Sequence, residues 1–287
     1  MNNFFVIANP EKEESVLAAQ HIADYIAGKG GNSTVSHKEK SSASYYQYTD
    51  PQLVPADTEC IIVIGGDGTL LQAARDLRCL GIPFIGVNYG TLGFLAEIDK
   101  EHVEEMLDRL ICDQYILEKR MMLKGQVIRG GKVIAEDVAL NDILVTKSGL
   151  PKVLEFPISV NGNDLVTYMA DGIIISTPTG STAYSMSAGG PIVEPGAELL
   201  LMTPICPHTM NNRSIIFSKD DEILFDMPEK ERRGEEVCRY LSFDGNHEIM
   251  LIGGDRVRIT RAESTIQLAK LSTLSFLQIL QRKMKER

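Results

Sequence analysis

Residues 60–77 read Cys60-Ile61-Ile62-Val63-Ile64-Gly65-Gly66-Asp67-Gly68-Thr69-Leu70-Leu71-Gln72-Ala73-Ala74-Arg75-Asp76-Leu77. The first five residues are apolar and mostly β-branched, which predicts a buried strand. The last eight are rich in helix formers. Between them lie three glycines, an aspartate and a threonine, so the segment reads strand, turn, helix. Glycine lets the backbone approach a ligand closely, and the amides that open a helix point outward without intrahelical partners. That combination predicts an anion cradle. A carboxylate inside such a cradle repels phosphate, unless it faces the acceptor or a metal ion. Residues 65–69 therefore read as a polyphosphate cradle with a base beside it. A plain tight turn is the alternative, because these residue types dominate turns. The chain has neither Gly-x-x-x-x-Gly-Lys-Ser/Thr nor Gly-x-Gly-x-x-Gly, which excludes the two familiar glycine-rich nucleotide fingerprints.

Strands alternate with helices around this segment. Residues 4–8 and 82–87 read as strands, and 15–27, 92–96 and 100–111 as helices. Residues 36–50, polar but holding Tyr45, Tyr46 and Tyr48, read as a surface loop. The pattern predicts a parallel α/β sheet to about residue 112. After residue 115 it changes. Segments 121–128, 132–139, 140–147, 153–160, 172–176, 215–218, 222–227, 239–243, 249–252 and 256–260 read as strands. Asn161-Gly162 between apolar runs is a tight-hairpin signal. This second domain reads as an antiparallel sandwich. Residues 272–285 return to a helical period. The expected architecture is an α/β N-terminal domain with a Rossmann-like parallel sheet, residues 1–112, plus an all-β sandwich-like C-terminal domain, 113–263. Residues 264–287 are expected to rejoin the first domain.

At 287 residues the chain is long enough for two cores, and its 44% hydrophobic and 24% charged content is that of a soluble globular protein. A net charge of −10 argues against nucleic acid and anionic membranes as partners. An anionic nucleotide would then be held by local amides, a few cations or a divalent metal. Five cysteines, Cys60, Cys79, Cys112, Cys206 and Cys238, are scattered without metal-ligand spacing. They read as reduced thiols in a cytoplasmic protein. Residues 4–8 are too short for a signal sequence, and no apolar run reaches membrane-spanning length.

Two further stretches carry chemistry. In residues 171–191 an apolar strand runs into a glycine- and hydroxyl-rich cluster followed by Gly189-Gly190-Pro191. Small residues permit close backbone approach, the hydroxyls can bond ribose, phosphate or a base edge, and Tyr184 offers a ring for stacking. A Ser/Thr-rich loop is the alternative. Asn141-Asp142 is a polar pair among Val138-Ala139-Leu140 and Ile143-Leu144-Val145. Such a pair costs stability unless it is partnered or used. Asn141 can read a base or ribose edge and Asp142 a hydroxyl or an amide; a turn or bulge is the competing reading.

These residues resemble the NAD kinases, enzymes that phosphorylate NAD to NADP. The resemblance rests on residues 65–69, Leu140-Asn141-Asp142, the 171–191 run, residues 204–214 and Phe243-Asp244-Gly245. It implies an active site between the two domains, with Asp67 as the base on the adenosine 2′-hydroxyl. Gly65, Gly66, Gly68 and Thr69 would handle the donor's phosphates. NAD would be bound by Asp67, Gly68, Asn141, Asp142, Asp171 near the nicotinamide, and Thr182, Ala183, Tyr184, Ser185, Met186 and Ser187 around the adenosine. Lys152 and Asn246 are further NAD contacts by charge and position. The resemblance also implies ATP or polyphosphate with Mg²⁺ or Mn²⁺, no metal fixed by protein side chains, and a homodimer or homotetramer. The chain departs from the family in carrying Asp142 where Glu is common, and Gln72 and Met169-Ala170 where some members have cations. A lipid kinase with a similar glycine loop and a non-catalytic pyridine-nucleotide sensor are the competing readings.

Overall fold

The computed structural model describes residues 1–9, 12–37, 48–89, 93–147, 154–208, 213–229, 239–272 and 274–285. The chain divides into two units, one made of residues 1–120 and 264–287, the other of 121–263.

The first unit is built on parallel strands. Its elements are β1 (Asn3–Ala8), α1 (Glu13–Gly28), β2 (Asn32–His37), β3 (Cys60–Ile64), α2 (Asp67–Leu77), β4 (Phe84–Asn88), β5 (Ile98–Asp99) and α3 (Val103–Ile111). The strand order is β2-β1-β3-β4, all parallel, with β5 on the far side of β4. Alternation along each strand explains why both faces are covered. Phe4, Val6, Ala8, Cys60, Ile62 and Ile64 share a core with Ile22 and Ile26 of α1 and with Val103, Leu107 and Leu110 of α3. Phe5, Ile7, Ile61 and Val63 point the other way and are also buried, and α2 packs on β3 and β4. A C-terminal helix, Phe276–Lys285, belongs to this unit.

The second unit is antiparallel. It contains β7 (Lys132–Ala139), β8 (Asp142–Lys147), β9 (Leu154–Val160), β10 (Asn163–Ala170), β11 (Gly172–Ser176), β12 (Leu199–Ile205), β13 (Ile215–Ser218), β14 (Ile223–Asp226), β15 (Arg239–Phe243) and β16 (His247–Leu251). Most of β6 (Ile116–Arg129) and the first half of β17 (Arg256–Lys270) lie here too. One sheet runs β13-β12-β11-β8-β15-β16; facing it are β10-β9-β14-β17 and the β6–β7 hairpin. Inward residues of both sheets, among them Leu123, Ile143, Phe156, Tyr168, Ile173, Phe225, Leu241 and Phe243, form a single core. This is a sandwich. Asn161 and Gly162 take φ of +51° and +77°, the backbone a two-residue hairpin between β9 and β10 requires.

Several segments differ from the sequence reading, among them β17, which runs ten residues beyond the expected 256–260, and β5, which was not anticipated. Residues 93–96 are not helical; the amides of Phe94 and Leu95 turn to Asp67 instead, and that of Glu97 to Gly86 of β4. β2 and β12 were not anticipated. Asn32-Ser33-Thr34-Val35-Ser36-His37 lacks an apolar alternation, and it is strand because parallel pairing with β1 supplies its hydrogen bonds. β12 is buried on both faces, so it has no period to read. In the polar segment 36–50, residues 38–47 lie outside the described residues; Thr49 is buried and its amide is bound to Asp76.

Candidate active site

In the first unit the order β2-β1-β3-β4 reverses direction between β1 and β3. Open α/β sheets bind ligands at such a switch point, beyond the carboxyl ends of the strands. β3 ends there in Gly65-Gly66, and α2 starts at Asp67 with Gly66 as its N-cap. Gly65 donates to the Val87 carbonyl of β4 at 3.0 Å. A Cβ on Gly65 would lie 2.6 Å from Thr69 Oγ1, so no larger residue fits without moving the turn. Gly66 and Gly68 are exposed, with nothing within 4 Å of where a Cβ would stand. The space beside the first turn of α2 is thus open at these glycines, and the helix dipole adds partial positive charge at this end.

Asp67 is half-buried in the first turn of this helix. Its Oδ2 accepts from Phe94 N at 2.9 Å and its Oδ1 from Leu95 N at 3.3 Å. A Cβ on Gly93 would lie 1.8 Å from Asp67 Oδ1. Residues 93–95 therefore wrap the carboxylate closely and set its direction. A carboxylate offers about four acceptor sites; two are used here. The segment is itself pinned, since Glu97 N donates to Gly86 O at 3.0 Å. Burial raises the Glu97 carboxyl above its ordinary range, against the pull of the Leu271 and Ser272 amides. Sequence reasoning missed this arm of the site. The available signal was the glycine at position 93, close after Gly90.

Gln72 is buried in α2 and faces protein, not the cradle. It donates to Asp76 Oδ1 at 2.8 Å and accepts from Arg75 at 2.9 Å. Asp76 in turn takes the amides of Tyr48 and Thr49. Burial lifts the Asp76 carboxyl, and those amides oppose the rise.

In the second unit, Asn141, Asp142, Leu144, Ala183, Tyr184, Ser242, Asp244 and Gly245 line a cavity of about 310 Å³. Both chemistry-bearing stretches of this unit are thereby brought together, along with Phe243-Asp244-Gly245. Leu140 and Asn141 form the bend between β7 and β8, and Asp142 opens β8. Asp142 is buried. Burial, then the nearby Asp244, push its carboxyl up to about 7. The 171–191 run leaves β11 at Ser176 and folds against this bend. Thr177 N donates to Asn141 O at 2.9 Å, and Thr177 Oγ1 to Leu140 O at 2.6 Å. A Cβ on Gly180 would stand 2.1 Å from Asn141 O, which explains the glycine.

Several of the hydroxyls are structural. Ser181 Oγ bonds Pro178 O and Val193, and Ser185 Oγ meets Thr203 Oγ1 at 3.1 Å. Thr182 Oγ1 donates to Thr179 O at 3.3 Å. Ala183 and Tyr184 reach the cavity; Met186 is half-buried and Ser187 exposed. Asp171 precedes β11 and pairs with Lys147 of β8, a cation that the sequence reading did not single out. Asn246 is exposed in the β15–β16 turn, its amide donating to Phe243 O at 3.0 Å. Lys152 lies outside the described residues. Among the described residues no group of three or more His, Cys, Asp or Glu could hold a metal ion.

Two family models match the chain: the ATP-NAD kinase N-terminal domain over residues 4–115 and the ATP-NAD kinase C-terminal domain over 140–271. The chain is 43% identical to the NAD kinase of Lachnospira eligens, spanning 99% of this chain and 100% of that one. It is 41% identical to the NAD kinase of Lachnoclostridium phytofermentans, over 99% of both. Among solved structures, yeast NADH kinase complexed with NADH matches with a TM-score of 0.84 at 23% identity, covering 99% of this chain and 88% of the other. An NAD kinase from Archaeoglobus fulgidus in complex with ATP matches with a TM-score of 0.75 at 21% identity, over the whole of both chains. Full-length identity and both domain models agree: the chain belongs to the NAD kinase family.

Proposed function

We propose that the chain phosphorylates NAD at the 2′-hydroxyl of its adenosine ribose, with ATP or polyphosphate as donor and Asp67 as general base. The observation that carries this reading is the carboxylate of Asp67 in the first turn of α2, beside the exposed Gly66 and Gly68 at the carboxyl end of a parallel sheet. Phosphoryl transfer demands positioning and charge neutralisation more than covalent help. The 2′-hydroxyl gives its proton to Asp67 while its oxygen bonds the terminal phosphorus and the bond to the leaving phosphate breaks. Amides of residues 66–68 stabilise the equatorial oxygens. Residues 93–95 keep the base from swinging away. The divalent cation, Mg²⁺ or Mn²⁺, enters as part of the donor, in keeping with a site built of amides.

NAD is assigned to the second unit's cavity, with Asn141, Asp142, Asp171, Ala183, Tyr184 and Asn246 as contacts, and Thr182, Ser185, Met186 and Ser187 shaping its wall. The yeast neighbour was solved with NADH and the archaeal one with ATP, and we carry both ligand classes to this chain. A homodimer or homotetramer in the cytoplasm completes the reading. A lipid acceptor is disfavoured, because both family models and the full-length relatives that the chain matches are NAD kinases. The test is purified protein with NAD, Mg²⁺ and either ATP or polyphosphate, read through an NADP-specific dehydrogenase, with diacylglycerol and a sphingoid base as parallel acceptors. NADP formation is expected; phosphorylation of a lipid alone would overturn the assignment.

A further inference from the structure

We propose that Asp244 is a positioning residue for the NAD site: it spends its carboxylate on the backbone of residues 140–142, and so leaves the Asp142 side chain to be matched by the ligand alone. The proposal rests on the reading that this cavity takes NAD. Three amides converge on one side chain. Leu140 N donates to Asp244 Oδ2 at 2.8 Å; Asn141 N and Asp142 N donate to Oδ1 at 2.8 and 3.1 Å. The grip is reciprocal, since Asp244 N donates to Asp142 O at 3.0 Å. Asp244 reaches these amides from a left-handed backbone, φ +49°, followed by Gly245 at +69°. Aspartate tolerates that region better than most residues do. The bend at 140–141 thus has its amides satisfied by a side chain 102 to 104 residues further along the chain. Without that carboxylate the bend would keep only the bonds from Thr177 to the carbonyls of Leu140 and Asn141, and the three amides that direct Asn141 and Asp142 would lose their acceptor.

The same arrangement sets the electrostatics. Asp142 is 7% exposed and borders the cavity. Amides that could have compensated its charge are directed to Asp244 instead. Among the residues that line the cavity, Asp244 is a like charge, and none is a cation. Behind the β15–β16 turn, His247 is held 2.6 Å from Asp137. The raised Asp142 carboxyl, at about 7, agrees with a group awaiting a partner. A ribose hydroxyl or an amide N–H is the chemistry that would satisfy it.

The experiment is calorimetric titration of the full-length protein with NAD, from roughly pH 5.5 to 8.5. Wild-type affinity should change through a midpoint near the Asp142 value. Asp244→Asn keeps the size but puts an NH₂ where an acceptor stood and removes the like charge. It should weaken NAD binding about tenfold, the scale of a lost charge-assisted hydrogen bond. It should also move the midpoint to lower pH and raise KM for NAD far more than it lowers kcat. Asp142→Asn should abolish the midpoint. An Asp244→Asn protein with wild-type affinity, or with the midpoint unmoved, overturns the proposal. Should that variant fail to fold, a midpoint that persists in Asp142→Asn overturns it equally. Binding of NAD without NADP formation would sink the phosphotransfer reading and leave this one standing; no binding at all would sink both.

Discussion

Asp67 and Asp142 are both carboxylates at the end of a turn, and the two units treat them oppositely. Asp67 sits half-exposed in the first turn of a helix and takes two backbone amides. Asp142 is buried at the start of a strand, and the amides around it are bound by Asp244. A charge compensated by backbone and open to water is ready to accept a proton at a set angle. A charge left uncompensated in a wall is ready for a ligand. Burial alone would rank Asp142 as the more functional of the two. Their partners differ in the way the proposed roles require, base for the one and ligand contact for the other.

The largest expected effect breaks the first half of that contrast. Asp67→Asn preserves size and one of the two amide contacts, its NH₂ replacing the other acceptor, and it cannot take a proton. We expect kcat to fall about 10³-fold or more, within the range of a lost general base, while calorimetry still reports NAD binding. A kcat near wild type would remove Asp67 from the mechanism. Gly93→Ala is the next test. Its Cβ would overlap Asp67 Oδ1, so either the carboxylate or the 93–95 segment must shift by about an ångström. A displacement of that size costs about 100-fold in rate. The expected signature is lost kcat with unchanged NAD affinity, because Asp142 and its cavity lie in the other unit. An equal loss in both would mean that residues 93–95 serve more than the base.

The sequence was a good guide where local pattern and tertiary role agree. Residues 60–77 form the strand, turn and helix their composition predicts, and Asn161-Gly162 makes its hairpin. It was a poor guide where a partner far along the chain decides. Nothing near Asp67 announces that Phe94 and Leu95 will hold it, and nothing near Asp142 announces Asp244. The hydroxyl-rich run shows the converse limit. Its composition suggests a row of ligand contacts, yet Thr177, Ser181 and Ser185 use their oxygens to pin backbone and core. A hydroxyl that binds a ribose and one that closes a turn look alike in sequence, because the difference lies in which way the side chain faces.

The smallest effect sharpens the second half of the contrast, and it is read as stability rather than rate. An unfolded aspartate titrates near 3.9, and folded Asp142 near 7. Between those values the folded chain holds a proton that the unfolded chain has released. Stability therefore falls as pH rises from about 4 to about 7, and levels off above. From pH 5 to 8 this one group should cost the ligand-free protein on the order of 2 kcal/mol. Asp142→Asn cannot ionise, so its denaturation curve should lack that decline, whatever its absolute stability. If ligand is what compensates Asp142, saturating NAD should flatten the wild-type curve toward that of Asp142→Asn, since a bound partner replaces the missing compensation. A wild-type slope that NAD leaves untouched would mean that Asp142 carries its charge for some purpose other than recognition.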